Sequence, residues 1–424
     1  MMAGICKVLL GTAIATMPVA ASPQIGIPAL PNTRIGVESI SGPLLRDIDL
    51  DRLTSAQIAE QLQIARIERL TSIVRQNRDR VEFDAQKAPA LRGVLLATGV
   101  TPAHRAKAEA AGYRVLDEEV IEGLDLSFTR FALPQGESLR AAQKKLANLL
   151  PDADISADNL YFASGLAPPL ATSTPSIVSA QSAASANARL GLIDSGVGKL
   201  TGHNARVVQK GFARGAPRAG GHGTAVASLA LSVSGPGSSL YAADVYGDDP
   251  AGGTASSIAR ALGWLISQQT SVINISLVGP NNALVRAAIA RAQAKGALIV
   301  AAVGNDGPAA APAYPAAQSG VLAVTGVDQA GRVLPEAGRG KHVAFAAPGR
   351  NLALSVKSGK KVNVRGTSFA APLVAGRLAQ LYPVAAPSRS ASAVHSLIAE
   401  ARDLGKKGRD PVFGHGLVCA DCGR

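Results

Sequence analysis

Arg189-Leu190-Gly191-Leu192-Ile193-Asp194-Ser195-Gly196-Val197 runs as an apolar strand and stops abruptly on an acid, a hydroxyl and a glycine. Apolar runs of the same kind recur over 240–245, 272–277, 297–303, 321–325 and 343–347. Helical spacing is read over 224–233, 255–267, 284–294, 369–382 and 391–401. Val/Ile/Leu/Ala runs without polar alternation belong to strands buried on both faces. Interleaved with helices, they predict an α/β fold with a doubly wound, mostly parallel sheet. Functional groups in such sheets gather at the carboxyl ends of the strands, which is where Asp194 stands.

Two other polar residues sit at segment starts. His222 lies in Gly221-His222-Gly223-Thr224-Ala225-Val226-Ala227, and Ser368 in Gly366-Thr367-Ser368-Phe369-Ala370-Ala371-Pro372. Each alone reads as a helix or turn cap. Together they are the three groups that hydroxyl attack on a carbonyl needs: a nucleophile, a base for its proton, and an anion to orient and stabilise the imidazole. They follow in the order Asp, His, Ser, separated by 28 and 146 residues.

This order, with Asp-Ser-Gly-Val, His-Gly-Thr-x-Val-Ala and Gly-Thr-Ser-x-Ala-x-Pro, resembles the subtilase family of serine proteases from residue 190 to about 418. The resemblance implies a subtilisin-like serine endopeptidase acting on polypeptides, with Asp194, His222 and Ser368 as its triad. Ala301-Ala302-Val303-Gly304-Asn305 is similar to the segment that carries the family's oxyanion-hole Asn, which makes Asn305 the expected donor beside the Ser368 N–H. Val272–Gly279 is similar to the strand lining the substrate cleft, so Ser276, Leu277 and Val278 are expected to bind substrate, with Gly252-Gly253 facing them. Val278 falls where the family commonly has Gly, and should narrow the pocket for the residue preceding the scissile bond. Ser232–Ser238 offers no carboxylate where the family often binds calcium, and neither metal nor cofactor is expected. Leu373 and Ala225 replace common family histidines, and 413–418 looks like the closing strand.

The first part of the chain divides differently. Residues 1–21 read as a secretory signal, with Lys7, a short apolar stretch and small residues at Val19 and Ala21; an N-terminal anchor or a buried helix is the alternative. Residues 22–90 form an arm followed by a helix over 54–80, which Thr54 and Gln57 open with a capping-box pattern. Strands over 91–97, 113–116 and 126–133, with helices over 104–111 and 139–149, make a small α+β unit spanning 91–163. An uncharged linker, 164–188, leads to the peptidase-like domain, 189–424. Resemblance assigns the small unit as a propeptide that blocks the cleft and is removed by self-cleavage, though it carries no diagnostic motif. The 54–80 helix lies outside that pattern. An exported product is expected, secreted or periplasmic, with no stable membrane insertion once the signal is gone.

Across 424 residues the formal charge is +13, and 47% of residues are hydrophobic, which argues against disorder and coiled coil. The charge is uneven: 18 Lys+Arg oppose 19 Asp+Glu before Arg189, and 25 oppose 11 from it onward. Dispersed basic residues and only 4% aromatics argue against nucleic acid as a partner. The acidic cluster Asp117-Glu118-Glu119, with Glu122 and Asp125, is either a solvated face or a surface that docks on the basic half. Of three cysteines, Cys419 and Cys422 remain after the signal and most simply pair; a zinc half-site lacks a second Cys pair. A different class stays open, a catalytically silent peptide-binding module that retains its propeptide.

Overall fold

The computed structural model describes residues 53–166, 187–200, 205–249, 251–355 and 361–422. The signal reading, the arm before residue 53 and most of the linker lie outside the described residues.

The first element among the described residues is helix α1 (Ser55–Gln76), and the Thr54–Gln57 capping box is formed in both directions. An antiparallel unit follows: β1 (Val81–Phe83), β2 (Pro89–Thr98), α2 (Pro102–Ala110), β3 (Arg114–Ile121), β4 (Leu126–Ala132), α3 (Leu139–Leu149) and β5 (Asp154–Asn159). Strand β2 lies at its centre, paired with β1, β4 and β5. Period-two alternation splits its side chains between two cores. Leu95 and Ala97 pack with Phe131 and the α3 residues Leu139 and Leu146. Leu96 points the other way, with Ile121, Leu124 and Phe128, into a core of the larger body.

Two short strands, β6 (Phe162–Ala163) and β7 (Gly165–Leu166), precede that larger body. It comprises β8 (Arg189–Asp194), β9 (Arg206–Gly211), α4 (Gly221–Ser232), β10 (Ser239–Asp244), α5 (Ala255–Ser267), β11 (Val272–Ile275), β12 (Leu277–Val278), α6 (Ala283–Ala294), β13 (Leu298–Ala302), β14 (Leu322–Val327), β15 (Val343–Pro348), β16 (Arg350–Ser355), β17 (Lys361–Gly366), α7 (Thr367–Leu381) and α8 (Pro387–Glu400). Seven strands form one parallel sheet in the order β15-β14-β13-β11-β8-β10-β9. On one face Leu190 and Leu192 pack with α4 and α7; on the other Ile193 and Ile273 pack with α5 and α6. The fold is the expected doubly wound sheet preceded by a small α+β unit.

Differences from the sequence expectations have local causes. The run over 272–277 is two strands, because Ser276 breaks from the sheet and Leu277–Val278 pairs with β6 instead. Strand β9 sits at the sheet edge and carries Gln209 and Lys210, so it lacks the apolar signature. The β16–β17 hairpin is equally polar in sequence. The 413–418 tail runs beside β15 through a Leu417–Ala346 bridge and the His415 and Val418 amides, without becoming a regular strand. Cys419 and Cys422 are joined in a disulfide, as the simpler reading expects.

The acidic cluster divides its work. Glu119 takes the Arg260 guanidinium at 2.7–2.8 Å and Asp125 meets Lys295 at 2.5 Å, both across the junction between the two bodies. Asp117 and Glu118 pair inside the small unit, with Arg130 and Arg105. At the same junction Asp158 accepts from the Ser256 N–H and hydroxyl at the start of α5. Burial pushes the Asp158 carboxyl above its ordinary range, against those two bonds.

Because Leu96 is fully buried in the core that both bodies share, Leu96→Ala should cost about 2–5 kcal/mol. Urea unfolding measures it, and an unchanged midpoint would contradict the shared core.

Candidate active site

Asp194 closes β8, only 1% exposed, and both of its carboxylate oxygens lie 2.9 Å from His222 Nδ1. The Ser195 N–H donates to Oδ1 at 2.7 Å, so the anion has a second donor of its own. His222 is the second residue of α4, and the helix is locked to the Asp194 loop by its neighbour: Gly223 N–H donates to Ser195 Oγ at 3.0 Å. A Cβ at Gly223 would overlap the Ser195 carbonyl oxygen, so this approach admits only glycine.

Ser368 is the second residue of α7 and fully buried. The Phe369 ring stacks obliquely on the His222 ring, with centroids 5.3 Å apart, which brings the start of α7 against the imidazole. Pro372, four residues on, has no N–H to give the Ser368 carbonyl. The Ser276 hydroxyl donates to that carbonyl at 2.9 Å instead, while receiving from Asn274 Nδ2 at 2.9 Å. A proline in the helix is thus repaired from the neighbouring strand end, and the repair fixes where Ser368 sits.

Asn305 follows β13. Its side-chain oxygen accepts the Thr367 N–H at 3.1 Å, and the Gly304 N–H donates to Thr367 Oγ1 at 3.2 Å. With its oxygen so engaged, the Asn305 amide has its NH2 group left to donate beside the first turn of α7. Arg365, just upstream, makes a two-pronged bond with Glu336 at 2.7 and 2.8 Å and anchors the approach to Ser368.

Asp194, His222, Ser368, Asn305 and Ser276 therefore converge from five segments. Among the described residues, His222 Nε2 and Ser368 Oγ are buried here without a hydrogen bond, as is Asn274 Oδ1. Leaving such atoms unpaired costs about 1–3 kcal/mol each, which folded chains tolerate chiefly where the atoms have work to do. A base nitrogen and a hydroxyl held in reserve can transfer a proton and open a nucleophilic attack.

The residues expected to bind substrate hold a piece of the same chain. Phe162 and Ala163 pair antiparallel with Val278 and Leu277. Tyr161 N–H donates to the Gly253 carbonyl at 2.8 Å, and Leu160 bridges Thr254 on the same side. Ser164 N–H and Oγ both donate to the Ser276 carbonyl at 3.2 Å. Gly165 and Leu166 then pair with Gly366 and Arg365, directly before Ser368. Gly253 has φ of +75°, and a Cβ there would strike the Tyr161 carbonyl, so backbone access decides that position. The short strands β6 and β7 themselves went unread in the sequence, because two residues leave no periodicity to find.

A doubly wound sheet with an acid, an imidazole and a buried helix-start serine at its strand ends defines a class of serine hydrolase architecture. The model of the subtilase family matches residues 187–416, more than half of the chain, and the chain belongs to that family of serine proteases. It is 32% identical over 209 residues to the thermostable alkaline protease of Halalkalibacterium halodurans, covering 47% of this chain and 56% of that protein. It is 31% identical over 260 residues to subtilisin DY of Bacillus licheniformis, covering 57% of this chain and 92% of the relative. Fervidolysin from Fervidobacterium pennivorans has a similar fold, with a TM-score of 0.60 at 19% identity, over 79% of this chain and 61% of fervidolysin. The chain thus spans little more than half the length of the first of these relatives.

Gly223→Ala should separate α4 from the Asp194 loop. The expected readout is a lowered melting temperature together with loss of the downfield proton resonance of a His222 Nδ1–H bonded to Asp194; a variant that keeps both would contradict the close approach.

Proposed function

We propose that the chain is an exported serine endopeptidase, secreted or periplasmic, made as a zymogen whose first substrate is itself. The observation that carries the reading is the strand 160–164, laid between Gly253 and Val278 with its Ser164 amide on the Ser276 carbonyl, beside Ser368. Residues 91–163 then serve as the propeptide, an intramolecular inhibitor, and 189–424 as the peptidase domain. The pairing of Gly165 with Gly366 supports Ser164–Gly165 as the bond that is cut.

In this mechanism Asp194 keeps the His222 Nδ1 proton in place and stabilises the imidazolium. His222 Nε2 takes the Ser368 proton as Oγ adds to the Ser164 carbonyl carbon. The oxyanion is received by the Ser368 N–H and the Asn305 NH2. Collapse of the tetrahedral adduct breaks the C–N bond, and His222 gives its proton to the leaving Gly165 amine. Water, activated by the same imidazole, hydrolyses the acyl-serine. Val278 narrows the pocket that receives the residue before the cut, and the small Ser164 suits it.

Wild type should yield a mature N-terminus at Gly165, and Ser368→Ala should persist as uncut precursor. N-terminal sequencing of both decides, and a wild-type chain that stays whole would overturn self-processing. Asn305→Ala should lose about 10²- to 10³-fold in kcat while remaining folded, and near-normal turnover would remove Asn305 from the mechanism. Peptide libraries should favour small or medium apolar residues before the cut; enrichment of Phe or Tyr there would contradict the narrowed pocket.

A further inference from the structure

Helix α1, shorter than the expected 54–80, has no part in the chemistry above, yet its contacts fall on both rims of the occupied cleft. Near its start, Leu62 is 1% exposed and packs on Gly307. One turn on, Arg66 and Arg69 both bind Asp306, at 3.1 and 3.0 Å, the residue next to Asn305. Ile73, with Leu70 and Val74, packs on Leu160 and Phe162 of the strand in the cleft and on Ala251 of the opposite rim. Just beyond the helix, Arg80 makes a two-pronged bond with Asp249 at 2.6 and 2.8 Å. From Leu62 to Ile73 the helix rises about 17 Å, enough to cross from one rim to the other over the strand.

We propose that α1 is a strap: Arg66 and Arg69 on the helix, and Arg80 just beyond its end, dock on an acidic site split between Asp306 and Asp249, and so hold residues 160–164 in the cleft. The inference rests on reading 160–164 as the occupant of the substrate cleft.

The sense of the ion pairs argues for a separate docking element over a mere extension of the small unit. The small unit presents acids to basic residues of the larger body, Glu119 to Arg260 and Asp125 to Lys295. The helix does the reverse, presenting Arg66 and Arg69 to an acid, as does Arg80 just beyond its end. Its apolar contacts run through Ile58, Leu62 and Ile73, with Leu70 and Val74 beside them, while Ile64 and Ile67 face solvent, and the ion pairs add to that apolar hold. Burial alone would raise the Asp249 carboxyl; the Arg80 bond overrides it and keeps that carboxyl below its ordinary value. The Arg66 and Arg69 pairs are partly exposed and therefore open to screening by salt. After the cut, a strap of this kind delays departure of the cleaved strand, and the delay shortens as salt rises.

The test uses the full chain carrying Ser368→Ala, so that no cut occurs and the outcome does not depend on whether the chain is a protease. Amide hydrogen exchange is compared with and without Arg66→Gln, Arg69→Gln and Arg80→Gln together, and without them at low salt and in 1 M NaCl. The Tyr161 and Ser164 amides, bonded to Gly253 and Ser276, should exchange about tenfold faster in the triple variant, the scale of three partly exposed ion pairs acting together. High salt should move the unsubstituted chain the same way, while β2 and β4 keep their protection. Faster exchange in α1 with Tyr161 and Ser164 unchanged would overturn the strap. If the triple variant loses protection in β2 and β4 as well, the salt arm decides: unchanged Tyr161 and Ser164 exchange in 1 M NaCl refutes the proposal.

Discussion

Asp194 and His222 are held 2.9 Å apart with almost no access to water, and the rest of the site is arranged around keeping them so. A buried carboxylate is costly unless it is bonded on several sides. Here the imidazole and the Ser195 amide supply the bonds, and the approach that makes them possible needs glycine at position 223. The parallel sheet provides the rest, since β8, β11 and β13 end at one edge and deliver Asp194, Ser276 and Asn305 to the starts of α4 and α7. Pro372 then forces the Ser368 carbonyl to seek Ser276, which ties the α7 serine to that edge.

Much of this was legible in the sequence where one segment carries its own signal. The continuous apolar runs found six strands of the central sheet, and the His222 and Ser368 segments mark helix starts by their small residues. What escaped reading depends on partners far along the chain. Arg69 and Asp306 meet across 237 residues, and nothing local to either announces it. Strand β6 exists because Leu277 and Val278 lie open beside it. Edge strand β9 hid behind Gln209 and Lys210, whose polarity suits an edge and spoils the apolar pattern.

The uneven charge of the two halves takes a more specific meaning. Basic residues of the second half, Arg260, Lys295 and Arg286, receive Glu119, Asp125 and Asp154 of the first. Three arginines run against that trend and find Asp306 and Asp249. The first half is thus held by two sets of ion pairs of opposite sense, around an apolar contact centred on Leu96, Phe128 and Tyr161. Together they keep the strand over 160–164 between its two flanking segments.

The proposed chemistry requires Asp194, His222 and Ser368 to act as one nucleophilic unit. Its most direct measurement is labelling of the processed chain with an organophosphorus serine-hydrolase probe, mapped by mass spectrometry. One adduct per chain is expected, on Ser368, abolished by His222→Ala. An unlabelled chain, or an adduct on another serine that survives Ser368→Ala, would contradict it.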